Sequence, residues 1–117
     1  MQNFLKTSLT ATVLAFLFAS CDKEEIIPAS ELPTEITTFI STHFPDNTIV
    51  QAIIDKDGLT KTYDILLSGN ISLEFNKKKE IIDIDGVSQP PDSVIPEKIL
   101  QYVATNYPSN FITDWEL

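Results

Sequence analysis

Seventeen acidic side chains against eight basic ones give this 117-residue chain a net charge of −9, so most of the chemistry open to it belongs to carboxylates. It has one histidine, His43, and one cysteine, Cys21. A nucleophile–base couple or a zinc centre needs several such groups converging on one point. A single imidazole and a single thiol supply neither, so no catalytic residue, metal centre, cofactor or enzyme activity is expected. His43 reads as a polar position at a helix end. Asp55-Lys56-Asp57-Gly58 and Asp83-Ile84-Asp85-Gly86 put glycine fourth, whereas a calcium-binding EF-hand loop wants it sixth, with a glutamate at twelve. Both read as turns. The acid excess also excludes nucleic acid, whose phosphates require clustered cations. The only run of cations, Lys77-Lys78-Lys79, falls where a solvated hairpin turn is expected. The acids placed to act together are Asp64, Glu74 and Asp83. Strand alternation puts them with Thr62 and Ser72 on one face of a sheet, which reads as a solvated face and, if the sheet binds anything, as the place for it beside the terminal edge.

The first twenty residues read as an address. Lys6 precedes an apolar run from about Leu9 to Ala19, and small residues follow before Cys21. That is the layout of a secretory signal, and the apolar run is too short for a bilayer that needs about 20 residues. Phe18-Ala19-Ser20-Cys21 resembles the lipobox of bacterial lipoproteins, which implies cleavage before Cys21 and lipid attached to it. Several acyl chains hold a protein on a membrane far more firmly than one. Lys23-Glu24-Glu25 resembles the export signal of surface lipoproteins in Bacteroidetes-type bacteria. The expected location is therefore the outer membrane, facing the cell surface, on a tether spanning 21–31.

The elements that must position the acidic face are written as a repeat. Leu32-Pro33, Ile36, Phe39, Phe44-Pro45 and Asn47 return as Ile95-Pro96, Ile99, Tyr102, Tyr107-Pro108 and Asn110, at an offset of 63 residues (96 − 33). Each copy predicts a helix that opens at a proline and stops before another, since a residue preceding proline avoids helical geometry. Ile36, Phe39, Ile40 and Phe44 form one helical face; Ile99, Tyr102, Val103 and Tyr107 form the second. Ser30 or a neighbour is expected to start the first helix. Between the helices lie four strand signals: 49–55, 61–67, 71–76 and 82–85. Period-two alternation with one polar side marks an antiparallel sheet covered on one face. Asp57-Gly58 and Gly69-Asn70 supply hairpin turns. The prediction is an α+β domain over 32–117: a four-stranded antiparallel meander with two helices packed on one face, and one last strand. The first repeat spans 32–86. The second, 95–117, is partial, and its terminal strand invites pairing with another chain or copy. Trp115 and Leu117 are expected to pack against the first unit.

These strings, together with Tyr63-Asp64-Ile65-Leu66-Leu67-Ser68-Gly69-Asn70 and Leu73-Glu74-Phe75-Asn76, resemble the PepSY-like, β-lactamase-inhibitor-like family of secreted bacterial proteins. The resemblance covers 31–117 and implies tandem helix-plus-sheet repeats, with kinship in shape to protein inhibitors of enzymes. It implies no chemistry, because its motifs are hydrophobic and turn patterns. Asp92-Ser93-Val94 resembles the short O-glycosylation sequon of Bacteroidetes envelope proteins, making Ser93 a candidate modified residue. Its other reading is helix-start chemistry, since Ser93 lies 63 residues after Ser30. The functional expectation is a membrane-anchored, non-enzymatic binding module for an envelope protein or peptide, inhibitor-like in shape. The alternative is an accessory lipoprotein that captures a saccharide or other small ligand.

Overall fold

Prolines frame both helices in the computed structural model, which describes residues 22–117. Helices α1 (Thr34–His43) and α2 (Glu97–Asn106) begin after Pro33 and Pro96, whose φ is −54° in each case. They end at Phe44 and Tyr107, which leave helical geometry immediately before Pro45 and Pro108, as the proline rule requires. The side-chain cap expected near Ser30 is not made: Ala29–Glu31 forms a separate 3-10 turn, and Asp92–Val94 repeats it 63 residues later. The leader and Cys21 lie outside the described residues.

The meander is present as β2 (Ile49–Asp57), β3 (Thr60–Leu67), β4 (Ile71–Phe75) and β5 (Ile81–Asp85). The four-strand count is corrected, because the sheet has six strands in the order β1-β2-β3-β4-β5-β6, all neighbours antiparallel. The added edges are β1 (Asp22–Ile27) and β6 (Asp114–Glu116). Residues 22–27, expected in a tether, pair with β2 from Asp22↔Asp57 to Ile27↔Ala52. The physical reason lies in β2. A nine-residue strand would otherwise present a long row of unpaired N–H and C=O groups. At the hairpin after β3, Gly69 adopts φ +81° and Asn70 φ 58°, the left-handed region that favours those residue types.

The core lies between α1 and the sheet. Ile36, Ile40 and Phe44 are buried against Ala52, Tyr63, Ile65, Leu67, Leu73, Phe75 and Ile84. Phe39 meets Phe75 edge-to-face, with centroids 5.3 Å apart and planes at 88°. Two expectations are corrected here. The second helix buries no residue fully; Ile99, Leu100 and Val103 pack on the core, while Tyr102 and Tyr107 are 61% and 53% exposed. The seam of α2 therefore includes Leu100 in place of Tyr102 and Tyr107. In β5 a bulge sets Ile81, rather than Ile82, opposite Phe75, and Ile81 joins the core. An inserted residue reverses alternation beyond it. Trp115 is buried, but Leu117 is 79% exposed.

Candidate binding face

Among the described residues, the sheet's side away from α1 carries no helix, and the register decides what it displays. Directly opposite residues in antiparallel strands share a face. Asp64 is opposite Glu74, Glu74 opposite Asp83, and Asp83 opposite Glu116. Four carboxylates thus form one row across β3, β4, β5 and β6. A second row runs Leu66, Ser72, Asp85, Asp114. Thr62 lies on the same side, opposite Asp55, which in turn faces Glu24 of β1. Gln51, Ile53, Asp64, Leu66, Ser72 and Glu74 line a shallow depression of about 340 Å³ on this face, with Asp83 and Asp85 at its border with β5.

Crowding marks the row electrostatically. Partial burial raises the Glu74 pKa above its ordinary value, and the charge of Asp64, a hydrogen bond with Asp64, and the charges of Asp83 and Glu116 raise it further. Asp83 is raised as well, by burial first and then by Glu116, Asp85, Asp114 and Asp64. One Asp64 oxygen, Oδ1, is shielded from solvent and meets no hydrogen-bond partner. Like charges set directly opposite one another destabilise a sheet, so this row is an arrangement that a cationic partner would relieve. Among the described residues, no three His, Cys, Asp or Glu side chains are placed to hold a metal ion.

The five sequence-derived positions, Thr62, Asp64, Ser72, Glu74 and Asp83, therefore share one face, and they gain Asp85, Asp114, Glu116, Asp55 and Glu24. The added acids come from β1, β2, β5 and β6. Their alternation was readable in Asp83/Asp85 and Asp114/Glu116, but their pairing was not. Lys23, Glu24 and Glu25 sit within β1, paired in the sheet.

Ser93 is exposed in the 3-10 turn before α2, where its Oγ lies 2.9 Å from Nδ1 of His43. Sequence reasoning found no hydroxyl partner for this histidine, because fifty residues separate the two. The ring also lies against Phe39, with centroids 4.6 Å apart. Among the described residues, no carboxylate hydrogen-bonds the imidazole. The pair joins the end of α1 to the connection that leads into α2.

The repeat, the helix-on-sheet layer and the bare acidic face can now be set beside known proteins. The family described as "Putative beta-lactamase-inhibitor-like, PepSY-like" matches residues 18–83 and 61–116. This chain belongs to the PepSY-like family. The two matches overlap over 61–83 and together run from 18 to 116. Three solved structures are similar, all described as putative periplasmic proteins. One, of the DUF2874 family from Bacteroides vulgatus, is 35% identical with a TM-score of 0.74, covering 81% of this chain and 76% of its own. Another from Bacteroides vulgatus, of unknown function, is 30% identical with a TM-score of 0.74, covering 81% and 78%. A third, from Bacteroides thetaiotaomicron and described as calcium-regulated, is 29% identical with a TM-score of 0.72, covering 80% and 75%. No curated protein matches the chain.

Proposed function

We propose that this PepSY-like protein is a non-enzymatic binding module of the cell envelope that takes a basic segment of another protein on its open sheet face. The observation that carries the reading is the row Asp64–Glu74–Asp83–Glu116, in which Glu74 and Asp83 hold their protons more tightly than usual. A lysine or arginine seated there would neutralise charges that the fold leaves crowded. Inhibitor-like shape supports the same class of role, by occupying another protein rather than transforming a substrate. The solved relatives' periplasmic descriptions support secretion. Acylation at Cys21 would place the module at the outer membrane, and surface display is the reading that Lys23-Glu24-Glu25 suggests.

The test is comparative capture from envelope extracts, using the native protein against a variant with Asp64→Asn, Glu74→Gln and Asp83→Asn. The expected result is one or more basic proteins held by the native protein, lost in the variant and lost again at high salt. Identical capture by both forms would remove the acidic row from the function. Relieving like-charge repulsion stabilises the variant's sheet, so lost capture cannot be put down to unfolding.

A second reading has its own observation. One similar solved structure is described as calcium-regulated, and the shielded Asp64 Oδ1 sits in a row of carboxylates. A calcium ion drawn between Asp64 and Glu74 would raise the melting temperature of the native protein and leave a Glu74→Gln variant unmoved. If calcium shifts neither, the second reading fails.

A further inference from the structure

The internal repeat fixes how β6 and the aromatic face of α2 stand to each other. At the offset of 63 residues, Ala52, buried in β2, becomes Trp115, buried in β6. The link from helix to strand repeats as well. Phe44 has φ −130° and ψ 57°, and Tyr107 has φ −137° and ψ 58°. The N–H of Asn47 donates to the Phe44 carbonyl at 3.1 Å, and that of Asn110 to the Tyr107 carbonyl at 3.0 Å. So β6 stands to α2 as β2 stands to α1, and the place of β3 falls on the outer edge of β6. In the first unit that place holds Tyr63, Ile65 and Leu67, buried beneath α1. Among the described residues, no strand pairs with β6 on that side. Tyr102 and Tyr107, with ring centroids 6.3 Å apart, are left more than half exposed.

Gly86 donates its N–H to the Thr113 carbonyl at 3.0 Å, and Leu117 donates to Ile82 at 2.9 Å. Hydrogen-bonded pairs alternate along an antiparallel ladder, so Thr113, Trp115 and Leu117 turn their backbone groups to β5. The N–H and C=O of Asp114 and Glu116 then point outward, and an unpaired row of this kind accepts an added strand. The side chains on the same two residues select which strand. They replace Gln51 and Ile53 of β2 at the 63-residue offset, so the second unit carries acids where the first carries none. Across the ladder both meet acids, Asp85 and Asp83. The lysine before β5, Lys79, is four residues short of Asp83 (83 − 79), about 13 Å along the chain. A second copy fits poorly. Antiparallel pairing of β6 with itself sets Asp114 against Glu116, and pairing with β1 sets both beside Asp22 and Glu24, like charges that destabilise a sheet. We infer that the outer edge of β6 takes an extended peptide as a seventh strand. Its lysine or arginine residues alternate over Asp114 and Glu116, and the apolar side chains between them lie under α2. This rests on the reading of the open face as a cation site, and it names how the basic segment is held: by its backbone, at this edge.

The experiment titrates the full chain into three dye-labelled eight-residue peptides and reads fluorescence anisotropy. One alternates lysine with valine, and the second has the same composition with its lysines grouped. The third is the first with each lysine methylated on its backbone nitrogen. A lysine opposite Asp114 or Glu116 points its N–H at β6, so the methyl removes that bond and keeps charge, length and side chains. The alternating peptide is expected to bind roughly tenfold or more tighter than either of the others. Asp114→Asn with Glu116→Gln should weaken it severalfold. Equal binding of the methylated and unmethylated peptides overturns the inference, and leaves a basic segment lying on the acidic face as the proposed function alone requires. Binding that needs the lysine N–H groups, yet is unmoved by Asp64→Asn, Glu74→Gln and Asp83→Asn, upholds the added strand and removes the row from the function. A dimer of the chain in sedimentation that the alternating peptide does not break gives the edge to a second copy, and the inference fails.

Discussion

Replacing Phe75 by alanine is expected to cost about 3–5 kcal/mol, the usual range for deleting a fully buried aromatic ring. Phe75 is fully buried, at the C-terminal end of β4, and is the edge partner of Phe39 on α1. It also lies opposite both Tyr63 and the bulged Ile81. One ring thus fixes the helix, two neighbouring strands and the bulge, and its loss leaves a cavity that no single side chain can fill. For a domain of this size, total stability is only about 5–15 kcal/mol. Urea titration should show the midpoint falling by roughly a fifth or more with an unchanged slope. A cost below about 1 kcal/mol, far under the buried-ring range, would mean that α1 is not seated on β4 as described.

The second large effect concerns pH and has the opposite sign to ordinary acid denaturation. Glu74 and Asp83 have pKa values raised in the fold above their ordinary 4.5 and 3.8. Between the ordinary values and the raised ones, the folded chain binds more protons than the unfolded chain. Stability therefore falls as pH rises through that window. Below it both states are protonated, and the penalty is absent. Glu74→Gln should then stabilise the protein at neutral pH by up to about 1 kcal/mol, the scale of a cross-strand pair at a solvated site. At about 4–8 °C per kcal/mol for a small domain, thermal melts resolve this easily. The same melts near pH 3 should show native and variant proteins converging, since the removed group is then neutral in both. A variant less stable than the native protein at pH 7 would show that Glu74 makes favourable contacts outweighing the repulsion.

Much of the architecture was legible because it rests on local rules. Proline placement marked both helix boundaries, and alternation in 61–67 and 71–75 assigned Tyr63, Ile65, Leu67, Leu73 and Phe75 to the core. The missed features depend on neighbours. Asp22–Ile27 is mostly charged and resembles solvated linker; its strand character comes from the open edge of β2, whose ladder it completes. The bulge at Ile81 inserts a residue without any turn signal, so the strand read over 82–85 left Ile81 out. Tyr102 and Tyr107 copy the positions of Phe39 and Phe44, yet stay exposed because burial requires a surface opposite them. The acidic face was visible as three alternating carboxylates. Its full extent was not, because Glu24, Asp114 and Glu116 join it only through pairing.

The order of the strands has a kinetic consequence. Each strand in β1-β2-β3-β4-β5-β6 pairs only with its neighbours in sequence. Three of the five pairings close across hairpins, the β1–β2 pairing spans α1 and its flanks, and the β5–β6 pairing spans 86–113 with α2. Chains whose contacts are short in sequence lose little loop entropy before those contacts form, and they fold fast. A hairpin forms within about 1–10 μs, so β2–β3 and β3–β4 can assemble while later residues are still arriving. For a chain made N-terminal end first, this is a topology that can zip shut in the order of its emergence.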